Sequence, residues 1–385
     1  MARLAVAAFG LALALVLGEI GLRLASPIPP DQLLPLTYKR DRLRRLATGD
    51  TYVRFDQELG WVTMPGVTRR DTQFTYRNNR AGLRAEREYT TAAPAGVRRL
   101  AAFGESFTYC QESDFDDCWT DLLEREWTGT EVLNYGVPGY GPDQAWLRYQ
   151  REGAEYRPCG VLIGFMAENV NRVVNRFFPF YQPDTGLVAG KPRYVARDAG
   201  LELVPNPVAD PRQMEDPAWV ERELGPGDRW YFPGLFAGSA FDRLMVYRVG
   251  RSAAYRFARD DATTRAMERS YAGRDEAFQL TVRILTAFAR QVEANGARSV
   301  VIVFSPASEI EAQMGSRAPI YSPLLAALRA ENVPVVDVTD ALVARARQVG
   351  VNGVIQFHYR EAGNRAVAEA LAQRLPPLIG SCGGA

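Results

Sequence analysis

Beyond residue 97 the chain alternates between short unbroken apolar runs and longer segments whose apolar residues recur at helical spacing. The runs are Arg99–Phe103 (RLAAF), Glu131–Tyr135 (EVLNY), Gly160–Met166 (GVLIGFM), Ser299–Phe304 (SVVIVF) and Val333–Val338 (VPVVDV). Aliphatic runs of this length suit parallel strands buried on both faces. Between and after them, Asp116–Trp127, Asp143–Glu152, Arg274–Glu293, Pro323–Glu331, Asp340–Gln348 and Glu361–Leu375 predict helices. Trp146 and Tyr149 share a face in the second of these, and Phe278, Val282, Leu285 and Phe288 do so in the third. Strands alternating with helices predict an α/β fold, a three-layer α/β/α sandwich on a mostly parallel five-stranded sheet.

Two stretches break this rhythm. Residues 27–96 form a loop-rich lead-in with strand-like pieces at Thr51–Asp56 and Gln73–Arg77, expected to pack on the main domain. Residues 175–257 are rich in Pro, Gly and aromatics and read as an insertion after the third strand. There it stands at the carboxyl edge of the sheet, where open α/β folds bind ligands. It forms either a wall of the site or the cover of a sheet edge. Trp230, Tyr231 and Phe232 are its best platform for a sugar ring. The main domain is expected over 97–378, with a tail at 379–385.

At the N-terminus, Arg3 precedes an apolar run from Leu4 to Gly18, followed by Glu19 and Arg23 before Ser26-Pro27. Residues 1–26 therefore read as an uncleaved membrane anchor, a cleaved signal or a buried helix. Lys39, Arg40, Arg42, Arg44 and Arg45 lie downstream, against the usual bias of positive charge towards the cytoplasm. The first two readings place the main domain outside the cytoplasmic membrane, in the periplasm or beyond, tethered or secreted.

Composition narrows the chemistry. In 385 residues, 46 Lys+Arg balance 45 Asp+Glu, so bulk charge gives no case for nucleic acid. Four cysteines without a CxxC, and one histidine, argue against a zinc cluster, and no metal is expected. Cys110 and Cys118 are near enough to staple a short loop in an oxidising compartment, or are two unrelated thiols. Cys159 and Cys382 show no evident partners.

The ends of the predicted strands carry the reactive residues. The first ends in Gly104-Glu105-Ser106-Phe107-Thr108, which exposes a serine hydroxyl at the sheet edge after a tight turn. The second runs into Asn134-Tyr135-Gly136-Val137-Pro138-Gly139-Tyr140-Gly141, a backbone able to present N–H groups to a ligand. The third ends in Ala167-Glu168-Asn169, whose amide either donates to developing negative charge or caps the next helix. His358, the one histidine, follows the fifth strand and precedes the last helix. A serine needs a base to become nucleophilic, and His358 has no rival for that part. The GxSxG elbow of α/β-hydrolases occurs nowhere in the chain.

Taken in order, these blocks resemble the SGNH (GDSL-type) hydrolase superfamily over about residues 98–175 and 299–375. GESFT matches GDSFT and implies Ser106 as nucleophile. NYGVPGYG matches the glycine block, with Gly139 as the oxyanion N–H. AEN matches the GxND block, with Asn169 as the oxyanion amide, and HYREAGNRAVAEAL matches the histidine block. The resemblance implies a flavodoxin-like SGNH fold and hydrolysis or transfer of acyl esters, often acetyl groups on carbohydrate, without a cofactor.

The match departs in three places. The acid expected three residues before the histidine is Ile355, the Asp of the GxND block is Val170, and Glu105 replaces the Asp beside the nucleophile. Asp337, Asp340 and Glu361 are the sequence candidates for a substitute that orients His358. The leading expectation is an exported serine esterase or deacetylase, with acylated carbohydrate or a small ester as its substrate partner. The oxyanion would be held by Gly139, Asn169 and the Ser106 N–H. An O-acyltransferase of surface polysaccharide, and a non-catalytic glycan binder on a decayed hydrolase fold, stay open beside it.

Overall fold

The computed structural model describes residues 2–25, 33–36, 43, 45–47, 52–70, 73–183, 186–198, 200–259 and 262–380. The lead-in contains two antiparallel hairpins, β1 (Val53–Asp56) with β2 (Gly60–Thr63) and β3 (Thr68–Arg70) with β4 (Thr75–Arg77). The main sheet is built from β5 (Arg98–Phe103), β6 (Thr130–Asn134), β7 (Gly160–Met166), β10 (Arg298–Phe304) and β11 (Val335–Asp337). Its order is β6-β5-β7-β10-β11 and every pairing is parallel. A third hairpin, β8 (Arg193–Arg197) with β9 (Gly200–Val204), belongs to the insertion.

Among the described residues, the helices of two turns or more are α1 (Ala2–Ala25), α2 (Trp119–Glu126), α3 (Pro142–Glu152), α4 (Pro217–Leu224), α5 (Met245–Arg259), α6 (Ala262–Gly273), α7 (Glu276–Ala294), α8 (Ala307–Met314), α9 (Ser322–Ala330), α10 (Thr339–Val349) and α11 (Glu361–Arg374). The layers follow from the alternation of side chains along each strand. Ala101, Phe103, Leu133, Val161, Ile163, Phe165, Val301 and Val303 face one layer, filled by α3, α7 and α9. Their neighbours Leu100, Ala102, Val132, Leu162, Met166, Val300, Ile302 and Phe304 face the other, filled by α2, α10 and α11. This is the three-layer sandwich the apolar runs predict.

The lead-in and the insertion do not merely flank this body, because they share a third apolar cluster. Leu59, Trp61 and Val62 of the lead-in pack with Phe177, Phe178, Phe180, Met214 and Leu224 of the insertion. The Trp61 indole donates to the Pro138 carbonyl at 2.9 Å and so reaches the loop after β6. The insertion also runs further than its Pro- and Gly-rich composition suggests. Once the last proline of that stretch, Pro233, is passed, the chain folds into α5 and α6 before α7 returns to the sheet.

Candidate active site

Ser106 opens a single helical turn, Ser106–Tyr109, directly after β5. The turn sits tight against the sheet. A Cβ on Gly104 would lie 2.2 Å from Thr108 Oγ1, and one on Gly136 would lie 2.3 Å from the Tyr109 nitrogen. Asn134 ties the same turn to β6, donating to the Thr108 carbonyl at 2.7 Å and accepting from the Gly136 N–H at 2.9 Å. Asn134 and Gly136 thus support the turn that carries Ser106. Ser106 itself is 6% exposed.

His358 stands on the turn closed by the bridge between Ile355 and Tyr359. Its ring lies 5.1 Å from that of Phe107, the residue after Ser106. Among the described residues no hydrogen bond joins Ser106 Oγ to His358, so proton transfer requires the two to close to hydrogen-bond reach.

The sequence candidates for the orienting acid are placed elsewhere. Asp337 binds the Tyr321 hydroxyl and the Thr339 N–H, Asp340 pairs with Arg374, and Glu361 pairs with Arg365. The carboxylate beside the imidazole is Glu112, whose Oε2 lies 3.3 Å from His358 Nδ1. The contact is a close charge approach rather than an aligned hydrogen bond, since Nδ1 has no hydrogen-bond partner. Ile355 is 1% exposed in the core, where a carboxylate would be desolvated. Ile355 offers the ring no charge, and the carboxylate beside it comes from the Glu112 loop instead.

Glu112 is held in place from several directions. The Cys110–Cys118 disulfide closes its loop, as the cysteine spacing allows. Cys110 and Glu112 both have φ of 60°, a left-handed backbone that non-glycine residues adopt only when their surroundings impose it. The Glu112 N–H donates to the Tyr76 hydroxyl at 3.1 Å, and Asp114 accepts from the Thr75 N–H at 2.8 Å, so β4 of the lead-in buttresses the loop. Arg84 adds a bond to the Ser113 carbonyl at 2.9 Å. The Ser113 hydroxyl donates to the Tyr359 carbonyl at 3.1 Å and accepts from Asn364 at 2.9 Å, which joins the acid's loop to the histidine's. Sequence reasoning passed over Glu112, although an acid-rich segment bracketed by two cysteines just after the nucleophile was its visible sign.

Asn169 and Gly139, the expected oxyanion donors, are held just as specifically. Asn169 accepts from the Met166 N–H at 3.0 Å, which fixes the oxygen end of its amide. Its Nδ2 is buried without a partner, two donors left for a ligand oxygen. Gly139 has φ of 86°, and a Cβ there would press to 3.2 Å on Trp61 and Leu187. Arg172, one turn after Asn169, donates to the Tyr140 carbonyl at 2.9 Å and so locks the Gly139 loop to the Asn169 turn. Val170, in place of the block's Asp, is fully buried in the core.

Glu105 keeps the carboxylate but not an ordinary environment. Neither of its oxygens has a hydrogen-bond partner, and burial pushes its pKa up to about 7 against the pull of the Arg172 guanidinium.

A cleft of about 1290 Å³ opens over this edge. Glu112, Phe357, His358, Ala167, Glu168 and Asn171 line it, and α5 and α6 line it as well, through Ser252, Tyr255, Thr263 and Met267. The insertion is therefore a wall of the site. The expected aromatic platform is not in the lining. Trp230 donates to the Asn171 carbonyl and packs on Tyr181, Tyr231 packs on Phe180, and Phe232 supports Tyr255 from behind. Cys159, for which the sequence shows no partner, is disulfide-bonded, and Cys382 lies outside the described residues. No group of three or more metal-ligating side chains occurs among the described residues.

No family model matches the sequence, and no curated protein matches it. Among solved structures the chain is similar to a G-D-S-L family protein from Desulfitobacterium hafniense (11% identity, 71% of this chain and 98% of that one, TM-score 0.36). It is similar also to a lipase/acylhydrolase from Enterococcus faecalis (13%, 73% and 96%, TM-score 0.35). A third is a catalytic mutant of an acetylxylan esterase from Geobacillus stearothermophilus (12%, 75% and 97%, TM-score 0.37). Likeness at this level assigns no activity.

Proposed function

We propose that the chain is a serine esterase of the SGNH type that removes acyl groups, acetyl foremost, from carbohydrate. The reading rests on the carboxylate of Glu112 at 3.3 Å from His358 Nδ1, which supplies the acid that Ile355 denies. A decayed binding protein has no use for that replacement. His358 takes the proton of Ser106 Oγ through Nε2, while Nδ1–H faces Glu112 and the charge there stabilises the imidazolium. Oγ attacks the ester carbonyl, and the oxyanion is received by the Asn169 amide with the Gly139 and Ser106 N–H groups. Collapse of the tetrahedral intermediate releases the sugar hydroxyl, protonated by His358, and leaves acyl-Ser106. Water, activated by the same imidazole, attacks the acyl-enzyme and yields the free acid. Glu168, which accepts from Gln182 and pairs with Arg172 at 3.4 Å, gives the cleft a polar lining suited to hydroxyl-bearing substrates.

The test is fluorophosphonate labelling with acetate release from acetylated polysaccharide. Ser106→Ala is expected to abolish both, and Asn169→Ala to lower kcat by about 10²–10³. A folded chain that neither labels nor releases acetate would refute the esterase reading.

A further inference from the structure

The helix that walls the cleft has a second, largely exposed face. On α5, Tyr247, Gly250, Ala253, Ala254, Phe257 and Ala258 are all exposed, and at 100° per residue they fall within one arc of the helix. The arc is apolar apart from the Tyr247 hydroxyl, and Arg251 at its edge holds its guanidinium 5.6 Å from the Tyr247 ring centre. Its two large members are Tyr247, 38% exposed, and Phe257, 88% exposed. The preceding turn adds Phe241, 63% exposed and in ring contact with Tyr247 at 5.7 Å, and Leu244. The opposite side of the helix is occupied, with Ser252 and Tyr255 lining the cleft and Arg248 donating to the Leu33 and Leu34 carbonyls.

The exposed arc begins where α1 is docked. Val246 lies in the same arc, and a Cβ on Gly18 would touch its Cγ2 at 3.6 Å. Glu19 accepts from the Val246 N–H at 2.9 Å, and Arg23 donates to the Arg243 carbonyl at 2.6 Å. Residues Arg3–Leu24 of α1 are long and apolar enough to cross a bilayer, with mean hydropathy 2.2 and none of that stretch buried. These contacts of α1 with the body thus lie at the head of an apolar stripe. Arg23 and Arg243, both exposed, stand at the junction, where phosphate headgroups would lie.

We infer that the outward face of α5, with Phe241 and Leu244, lies in the interface of the phospholipid bilayer that α1 enters, so that the cleft is walled by a membrane-seated helix. This rests on α1 being retained as an anchor. An amphipathic helix seated in this way buries its apolar face at the boundary of headgroups and acyl chains. The cleft then opens beside the membrane surface, and a substrate carried on a lipid reaches it without leaving the bilayer.

The experiment uses the full chain in vesicles of phosphatidylcholine and phosphatidylglycerol. No cysteine is free among the described residues, so single nitroxide labels can be placed through Tyr247→Cys, Ala254→Cys and Phe257→Cys. Val349→Cys, on α10, serves as an exposed control, and Leu13→Cys reports on α1. The expected result is a ratio of oxygen to nickel-chelate accessibility severalfold higher at 247, 254 and 257 than at 349. Ratios equal to the control at all three sites, with Leu13 in hydrocarbon, would overturn the inference while leaving the anchor intact. An aqueous signal at Leu13 would remove the anchor and the inference together. Spin–spin broadening at 254 and 257 would show a second copy on this face, and would also overturn it. Ala254→Cys exchanges one small residue for another, so the test stands if the aromatic variants misfold.

Discussion

Replacing Glu112 with Gln removes a charge and leaves the side chain's shape. In the proposed reaction that charge matters when His358 becomes cationic, so the substitution acts on the transition state. At 3.3 Å, two unit charges interact by about 5 kcal/mol at an effective dielectric of about 20 and about 1.3 kcal/mol in bulk water. The Glu112 side chain is 35% exposed and that of His358 16%, which puts the pair between these limits, near about 3 kcal/mol. That corresponds to a loss of about 10² in kcat. The loss is smaller than the roughly 3 × 10⁴ found for the acid of a subtilisin triad, as a partly exposed pair requires. KM for p-nitrophenyl acetate should change little, because the carboxylate faces the imidazole. Asp340→Asn and Glu361→Gln, whose carboxylates are paired with arginines, should both retain nearly full kcat. A Glu112→Gln enzyme within about twofold of the parent kcat would refute the assignment of the acid, most plainly if Glu361→Gln fell instead.

Two further outcomes follow from the surroundings of the nucleophile. The double substitution Cys110→Ser/Cys118→Ser should lower kcat about as far as Glu112→Gln does, about 10², and cost about 2–4 kcal/mol of stability, read from kcat and a denaturant titration. Glu105, pushed up to about 7, keeps in the folded chain a proton that the unfolded chain releases near pH 4.5, so it makes stability fall as pH rises from about 4.5 through 7. Glu105→Gln should therefore be about 3 kcal/mol more stable than the parent at pH 8 and within about 1 kcal/mol of it at pH 5, and the same difference at both pH values would refute this. Asp228 and Glu124, pushed up to about 6 and about 7 by burial, tilt the parent curve the same way, so the difference between the two proteins is the measurement that counts.

What the sequence made legible was what depends on local pattern. Strands such as Gly160–Met166 are written in their apolar runs, and Ser106, Gly139 and Asn169 follow the ends of three of them, while His358 stands on a turn beyond α10. The partner of the imidazole was illegible because it is a matter of tertiary register. Ile355 announces that the acid is absent, but nothing local says that a loop 246 residues away, fastened through Ser113 to Tyr359, brings Glu112 to the ring. The aromatic triplet misled for a related reason. Trp230, Tyr231 and Phe232 have the composition of a sugar platform, yet the shared core of lead-in and insertion draws the first two inward. The amphipathic character of α5 was hidden by the Pro- and Gly-rich segment before it.

The loop that carries Glu112 has a consequence for assembly order. Ser106 and Glu112 stand on one short stretch, and the Cys110–Cys118 disulfide closes the loop that carries Glu112 without reaching beyond residue 118. The imidazole comes from the far end of the sequence, on a turn held by Tyr359 against the end of β10 through Ser305. In the proposed reaction the site is therefore complete only when the C-terminal segment docks beside that stretch. During refolding, recovery of the proposed esterase activity would report that long-range closure and not formation of the disulfide alone.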